Sequence, residues 1–251
     1  PLLRSIDLGL MALPRHDVDA SDRNRTSFFA FTGNKFEFRA VGAPANCALP
    51  ITVINAIVAD SLQLILDEMT SVVGDASLTE EALFRAVLPI LRKHLGAAQP
   101  VLFSGNNYSP EWEQEAEARG LPNIRKSFHA FSQWIEKKTL SVFEGILTES
   151  ELHSRYDVMV EQYVKTVQIE VHLMIDLFQT QILPAAQKDM MQRGIKEPLI
   201  DRAIASAEEL KKLQSQTHDM GWEAKGKIDC ELIAPKMAEL RSLVDQLERV
   251  V

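Results

Sequence analysis

At 251 residues, 46% of them apolar, the chain is long enough for one large domain or two small ones with a sizeable core. A formal net charge of −8 argues against general affinity for nucleic acid or anionic membranes. Two cysteines, Cys47 and Cys230, supply no disulfide framework and fit a reducing, cytoplasmic setting as ordinary buried or partly buried thiols, and no close Cys/His spacing announces a self-contained zinc site.

The opening stretch, PLLRSIDLGL, has no initial methionine and neither the charged start nor the length of a signal peptide, so the chain is expected to begin inside a longer protein. Up to Pro50 the sequence is irregular and strand-like, with His16 expected in a loop. Beyond Pro50 it is helical. No uninterrupted apolar run reaches the roughly 18–20 residues that span a bilayer. Pro50 suits the first turn of a helix running to about Val73 and closed by Gly74. SLTE offers Ser77 as an N-cap with Glu80 completing a capping box, opening a helix toward His94 with Gly96 past its end and Pro89 kinking its interior. In SPEW, Ser109 caps and Pro110 takes the first helical position, and Gly120 and Pro122 stop the helix.

TESE gives a second box, Thr148 with Glu151, before a long helix from about Glu149 toward Met191. Leu152, Tyr156, Met159, Tyr163, Val167, Met174 and Phe178 line one face of it, and Pro184 should bend it or interrupt its hydrogen bonding. Another helix is expected over about 197–217. The last, from about Pro235, carries Ile233, Met237, Leu240, Val244, Leu247 and Val251 at 4-3-4-3-4 spacing, a seam that calls for a partner helix. His153 and His172 read as surface or interface residues of the long helix. The expected fold is therefore α+β and predominantly α-helical, a short β-hairpin followed by a long-helix bundle.

The stretch with the most chemistry is DRNRTSFFAFTGNKFEFR, residues 22–39. Alternation in NKFEFR places Lys35, Glu37 and Arg39 on one face of a strand, with Phe36 and Phe38 buried on the other. A solvated strand face with a local ion pair would account for that much. A turn at Gly33–Asn34, however, could fold Arg23 and Arg25 back beside the charged face. Arginine forks hold phosphate or carboxylate, and a glutamate oxygen is a hard ligand for Mg²⁺ or Mn²⁺. The residues on their own point to an anion-plus-metal site.

That stretch, followed by AVG, resembles the C-terminal edge of the catalytic domain of glutamine synthetases, specifically the large type III class. PVLFSGNNYSPEWEQEAEARGLPN and ILTESELHSRYDVMVEQYVKTVQIE resemble the same class, so the likeness runs in order through most of the chain. It implies a division into 1–46, the edge of the catalytic domain, and 47–251, the helical C-terminal region. It also implies ATP-dependent joining of glutamate and ammonia through γ-glutamyl phosphate, with ATP and Mg²⁺ or Mn²⁺, in a large ring-shaped homo-oligomer, a dodecamer by family likeness. By the same resemblance Glu37 matches a metal-ligand glutamate, Arg39 the arginine that contacts substrate glutamate, and Arg25 a catalytic arginine near the transferred phosphate. Arg23 and Lys35 match weaker contacts to nucleotide phosphate.

Two departures stand out. Ala30 stands where better-known bacterial synthetases carry another arginine, which puts nucleotide roles in doubt, and Phe28 replaces an expected proline. The family's remaining metal ligands and its ammonium-site aspartate would lie upstream of Pro1, so the chain alone is expected to be inactive. The alternatives are a non-catalytic helical oligomerisation module and a related amine–acid ligase with another acid substrate.

Overall fold

The computed structural model describes residues 5–6, 16–17, 29–31, 34–40, 46–74, 79–103, 106, 109–195 and 197–249. It is predominantly helical, as the sequence pattern requires, with two short antiparallel strand pairs where one hairpin was expected. In the first pair β1 (Ser5–Ile6) lies against β2 (His16–Asp17), so His16 sits in a strand rather than the expected loop. The second pair is the hairpin of β3 (Phe29–Phe31) and β4 (Phe36–Phe38). The chain divides into two compact units, residues 1–123 and 124–251.

In the first unit, α1 (Ala48–Val73) begins where the Asn46 side chain accepts a hydrogen bond from the Ala48 amide at 2.8 Å. Pro50 occupies its first turn and Gly74 closes it at φ +59°, a conformation that L side chains resist. This helix corrects the reading of apolar runs: by length and composition it could cross a membrane. The run-based reading missed it because Asp60 and scattered Thr, Ser and Asn break the run without lowering its average much. The next helix, α2 (Glu80–Ala97), packs on α1, and Lys93 reaches across to Glu68 at 2.7 Å.

Its cap is Thr79, not Ser77: the Thr79 hydroxyl accepts from the Ala82 amide, and Glu80 and Glu81 fill the first turn, where the helix dipole favours them. The helix also runs through Gly96 and Pro89 rather than stopping before the glycine. Ser109 caps α3 (Pro110–Ala118) as expected, and Gly120 follows at φ +73°. Arg119 ties that end down by donating to the carbonyls of Pro100 and Leu102, with its guanidinium 5.4 Å above the Trp112 ring. The FSGNNYSPEW segment thus leads into a capped helix, as its turn chemistry suggests.

The second unit opens with the short α4 (Ser127–Phe131) and α5 (Lys137–Val142), followed by α6 (Glu149–Leu177) behind a complete Thr148–Glu151 capping box. From α6 the chain passes through a π-turn, Phe178–Ile182, into α7 (Leu183–Arg193). After α8 (Pro198–Gln216) the same device recurs: α9 (Trp222–Ile228) continues through a π-turn, Asp229–Ile233, into α10 (Ala234–Leu247). Each π-turn lies just before a proline, Pro184 or Pro235. Proline has no N–H and its ring crowds the carbonyl four residues back, so the preceding amide reaches one residue further: Leu183 bonds to Phe178 O and Ala234 to Asp229 O. α10 thus begins within a residue of Pro235, as expected, but it continues a helical run that opens at Trp222, which the sequence reading did not include.

The core of this unit is one cluster. Val167, Val171 and Ile175 from α6 and Phe178 from the π-turn after it meet Ile200, Ala203, Ala207 and Leu210 from α8, and Ile233, Leu240, Val244 and Leu247 from the last run. The 4-3-4-3 seam finds its partner helix in α8 of the same chain. On α6 the buried stripe is Leu152, Val160, Val164, Val167, Val171 and Ile175, with Tyr156, Met159, Tyr163 and Met174 only half-buried at its edge. Gly226 faces the Phe128 ring so closely that a Cβ there would collide with it, which explains a glycine in the middle of α9.

Candidate functional site

The hairpin brings three of the sequence-derived site residues together. Its register pairs Phe29 with Phe38, Ala30 with Glu37 and Phe31 with Phe36. Arg39 approaches Glu37 with two nitrogens, Nη2 at 2.9 Å and Nε at 3.2 Å, both directed at Oε2. Lys35 lies 3.5 Å from the other oxygen, Oε1. One carboxylate is thus gripped from both sides along one strand face, as alternation predicts. The Arg39 hydrogen bond, helped by the charges of Arg39 and Lys35 and opposed by partial burial, holds the Glu37 carboxyl below the usual carboxylate range. Glu37 is therefore ionised near neutral pH and presents hard oxygen to a cation.

The other face differs from expectation. Phe36 is 59% exposed rather than buried, and it stacks diagonally on Phe29 with ring centroids 4.7 Å apart. Ala30 lies directly across from Glu37, so the position where an arginine was expected from bacterial synthetases adjoins the carboxylate. A methyl group there adds no cation, and among the described residues Lys35 and Arg39 are the cations seen on Glu37. Arg23 and Arg25 lie outside the described residues.

A divalent ion is held by several oxygens, and Mg²⁺ prefers six. Among the described residues no group of three His, Cys, Asp or Glu side chains could hold a metal. Glu37 fits as one ligand of such a site, with the others to come from elsewhere. Of the other polar residues, Cys47 is exposed, against expectation, while Cys230 is buried, and His153 and His172 are exposed as expected.

Sequence reasoning missed Asp229. It is fully buried, its Oδ1 accepts from Gln168 Nε2 at 2.7 Å and its Oδ2 has no partner. The signal was present, because Asp229 precedes Ile233 by four residues and so extends the buried seam one turn backward.

The comparisons with known proteins bear on both halves of this picture. Residues 86–197 match the family model of the glutamine synthetase C-terminal domain. A glutamine synthetase from Bacteroides fragilis is 34% identical over 97% of the chain, and one from Butyrivibrio fibrisolvens is 34% identical over 81%. The first of these alignments leaves too few residues uncovered to omit the hairpin. The chain belongs to the glutamine synthetase family. Within it the likeness extends to the type III class: a Dictyostelium discoideum relative, 32% identical over 98% of the chain, is named type-3 glutamine synthetase. The chain spans about a third of the length of these curated relatives, 33%, 37% and 29% for the Bacteroides, Dictyostelium and Butyrivibrio proteins.

Proposed function

We propose that the chain forms part of an ATP-dependent glutamate–ammonia ligase and contributes one wall of its active site. The observation that carries this reading is the Glu37 carboxylate clamped between Arg39 and Lys35 on a strand of a glutamine synthetase family member. In this reading residues 1–46 belong to the catalytic domain and 47–251 to the helical C-terminal region.

The reaction phosphorylates the side-chain carboxylate of glutamate and lets ammonia displace phosphate. Its demand on the protein is positioning and neutralisation of negative charge. A Mg²⁺ or Mn²⁺ ion held in part by Glu37 would supply Lewis acidity at the phosphate oxygens. A cation held by Glu37 would share that carboxylate with Arg39, which would link the cation site to an arginine suited to the substrate carboxylate. Arg25 is assigned to the transferred phosphate and the substrate, Arg23 and Lys35 to nucleotide phosphates. With Ala30 beside Glu37, the nucleotide contacts would differ from those of the bacterial enzymes. The working form is a large homo-oligomer acting in the cytoplasm.

The test is ADP release with ATP, Mg²⁺, glutamate and ammonia, run on this chain and on a chain of its relatives' full length that includes it. The full-length form is expected to turn over and the 251-residue chain to be silent. In the full-length form, Glu37→Gln is expected to cost at least about 100-fold in kcat/KM and to raise the Mg²⁺ requirement. Arg39→Ala is expected to raise the KM for glutamate by roughly tenfold or more while that for ATP changes little. A folded full-length form without glutamate-dependent ADP release would overturn the reading in favour of another acid substrate or an assembly module. Unchanged glutamate kinetics in Arg39→Ala would remove that residue's role.

A further inference from the structure

The long helix α6 buries one face in the core and leaves another uncovered among the described residues. Along that second face lie Lys165, Ile169, His172 and Asp176, at 4-3-4 spacing. They line an open groove of about 820 Å³ between α6 and α9, with Leu173 on its ridge and Trp222 on its far wall. Ile169 is 68% exposed, Leu173 53% and Trp222 43%. Three large apolar side chains so exposed on neighbouring helices form a patch of the kind that marks an interaction surface.

The charges say what kind of partner fits. One end of the groove is cationic: the ammonium groups of Lys165 and Lys225 lie over the Trp222 ring, 5.6 and 5.5 Å from its centroid. The other end is anionic, at Asp176. Eleven residues of helix separate Lys165 from Asp176, about 16 Å along the axis. That span exceeds a single small zwitterion and suits about three turns of a second helix.

The spacing is also symmetric. Reversing the order of 165, 169, 172 and 176 leaves the 4-3-4 pattern unchanged, so an antiparallel copy of α6 places Lys165 opposite Asp176 of the second copy and Ile169 opposite its His172. A two-fold axis then makes every contact twice, which is the condition an isologous interface must meet. A foreign helix would need that arrangement of basic, apolar and acidic residues independently; a second copy already has it.

We propose that this face of α6 is a self-association surface, seating the α6 helix of a second copy antiparallel in the groove between α6 and α9. Lys165 is shared between Asp176 of that copy and its own Glu161, 2.5 Å away on the same helix. The association is independent of the ligase reading, since it is read from mass rather than turnover.

The test is sedimentation equilibrium on the whole 251-residue chain, wild type against Lys165→Glu, Asp176→Lys and the double exchange. Both substituted positions are exposed, and thermal melts by circular dichroism check that each of the three variants is folded. The wild type is expected to show a concentration-dependent monomer–dimer equilibrium that weakens with added salt. Each single variant sets two like-charge pairs in place of two opposite ones and is expected to raise the dimer Kd by about tenfold or more. The double exchange restores both pairs and is expected to return the Kd to within about threefold of wild type. A wild type that stays monomeric, a dimer indifferent to both single variants, or a double exchange no better than the singles would each overturn the proposal and leave the groove to a different partner.

Discussion

Leu240→Ala is expected to lower the stability of the helical unit by roughly 2–5 kcal/mol. Leu240 is 1% exposed and sits at the middle of the seam that α10 presents to α8, between Met237 and Val244 on its own helix. Truncation removes three carbons from a close-packed interior. The surrounding helices cannot collapse fully onto the gap, because Ile233 and Leu247 anchor the run on either side. The measurement is urea unfolding followed by far-ultraviolet circular dichroism, with Met191→Ala as the reference. Met191 is 85% exposed, so its truncation should stay within about 0.5 kcal/mol of wild type. A Leu240→Ala chain as stable as the Met191 variant would mean that the α8–α10 contact does not hold this unit together.

Much of this architecture was legible in the residues because local chemistry and long-range packing agree. Ser109, Thr148 and Glu151 cap where their side-chain oxygens reach unpaired amides, and Gly74 and Gly120 end helices at positive φ. The seam from Ile233 to Leu247 specified a partner helix, although its spacing could not say that the partner would be α8 rather than another chain. What the sequence hid has particular physical causes. Thr79 displaced Ser77 as a cap because both are competent hydroxyls two residues apart, and only the final backbone path chooses between them. Pro235 marked the start of α10, as proline is favoured there, but it could not show that a π-turn joins α10 to α9 in one continuing run. At the candidate site, alternation alone gave Lys35, Glu37 and Arg39 one face. It could not give the exposure of Phe36, which depends on what covers the hairpin.

Asp229→Asn is expected to stabilise the chain at pH 7.5 and to lose that advantage as the pH falls toward 4. Asp229 is fully buried in the π-turn between α9 and α10, with one oxygen bonded to Gln168 and the other unpaired. Burial pushes its carboxyl up from the ordinary 3.8 to about 6, against the smaller opposing effects of the Gln168 hydrogen bond and the Lys225 charge. The sign follows from proton binding. Between pH 3.8 and about 6 the folded chain holds a proton on this group that the unfolded chain has released, so stability falls as pH rises through that window and levels off above it. The gap between those two values corresponds to at most about 3 kcal/mol at neutral pH. Asparagine keeps an acceptor for Gln168 and carries no charge, but its amide protons meet the same absence of partners that leaves Oδ2 unpaired, so a net gain of about 1–2 kcal/mol is expected. Urea titrations of wild type and variant at pH 4, 5.5 and 7.5 measure the difference directly. A gain independent of pH would mean that Asp229 is not the titrating group. No gain at pH 7.5 would mean that the buried carboxylate is compensated by groups beyond Gln168 and Lys225.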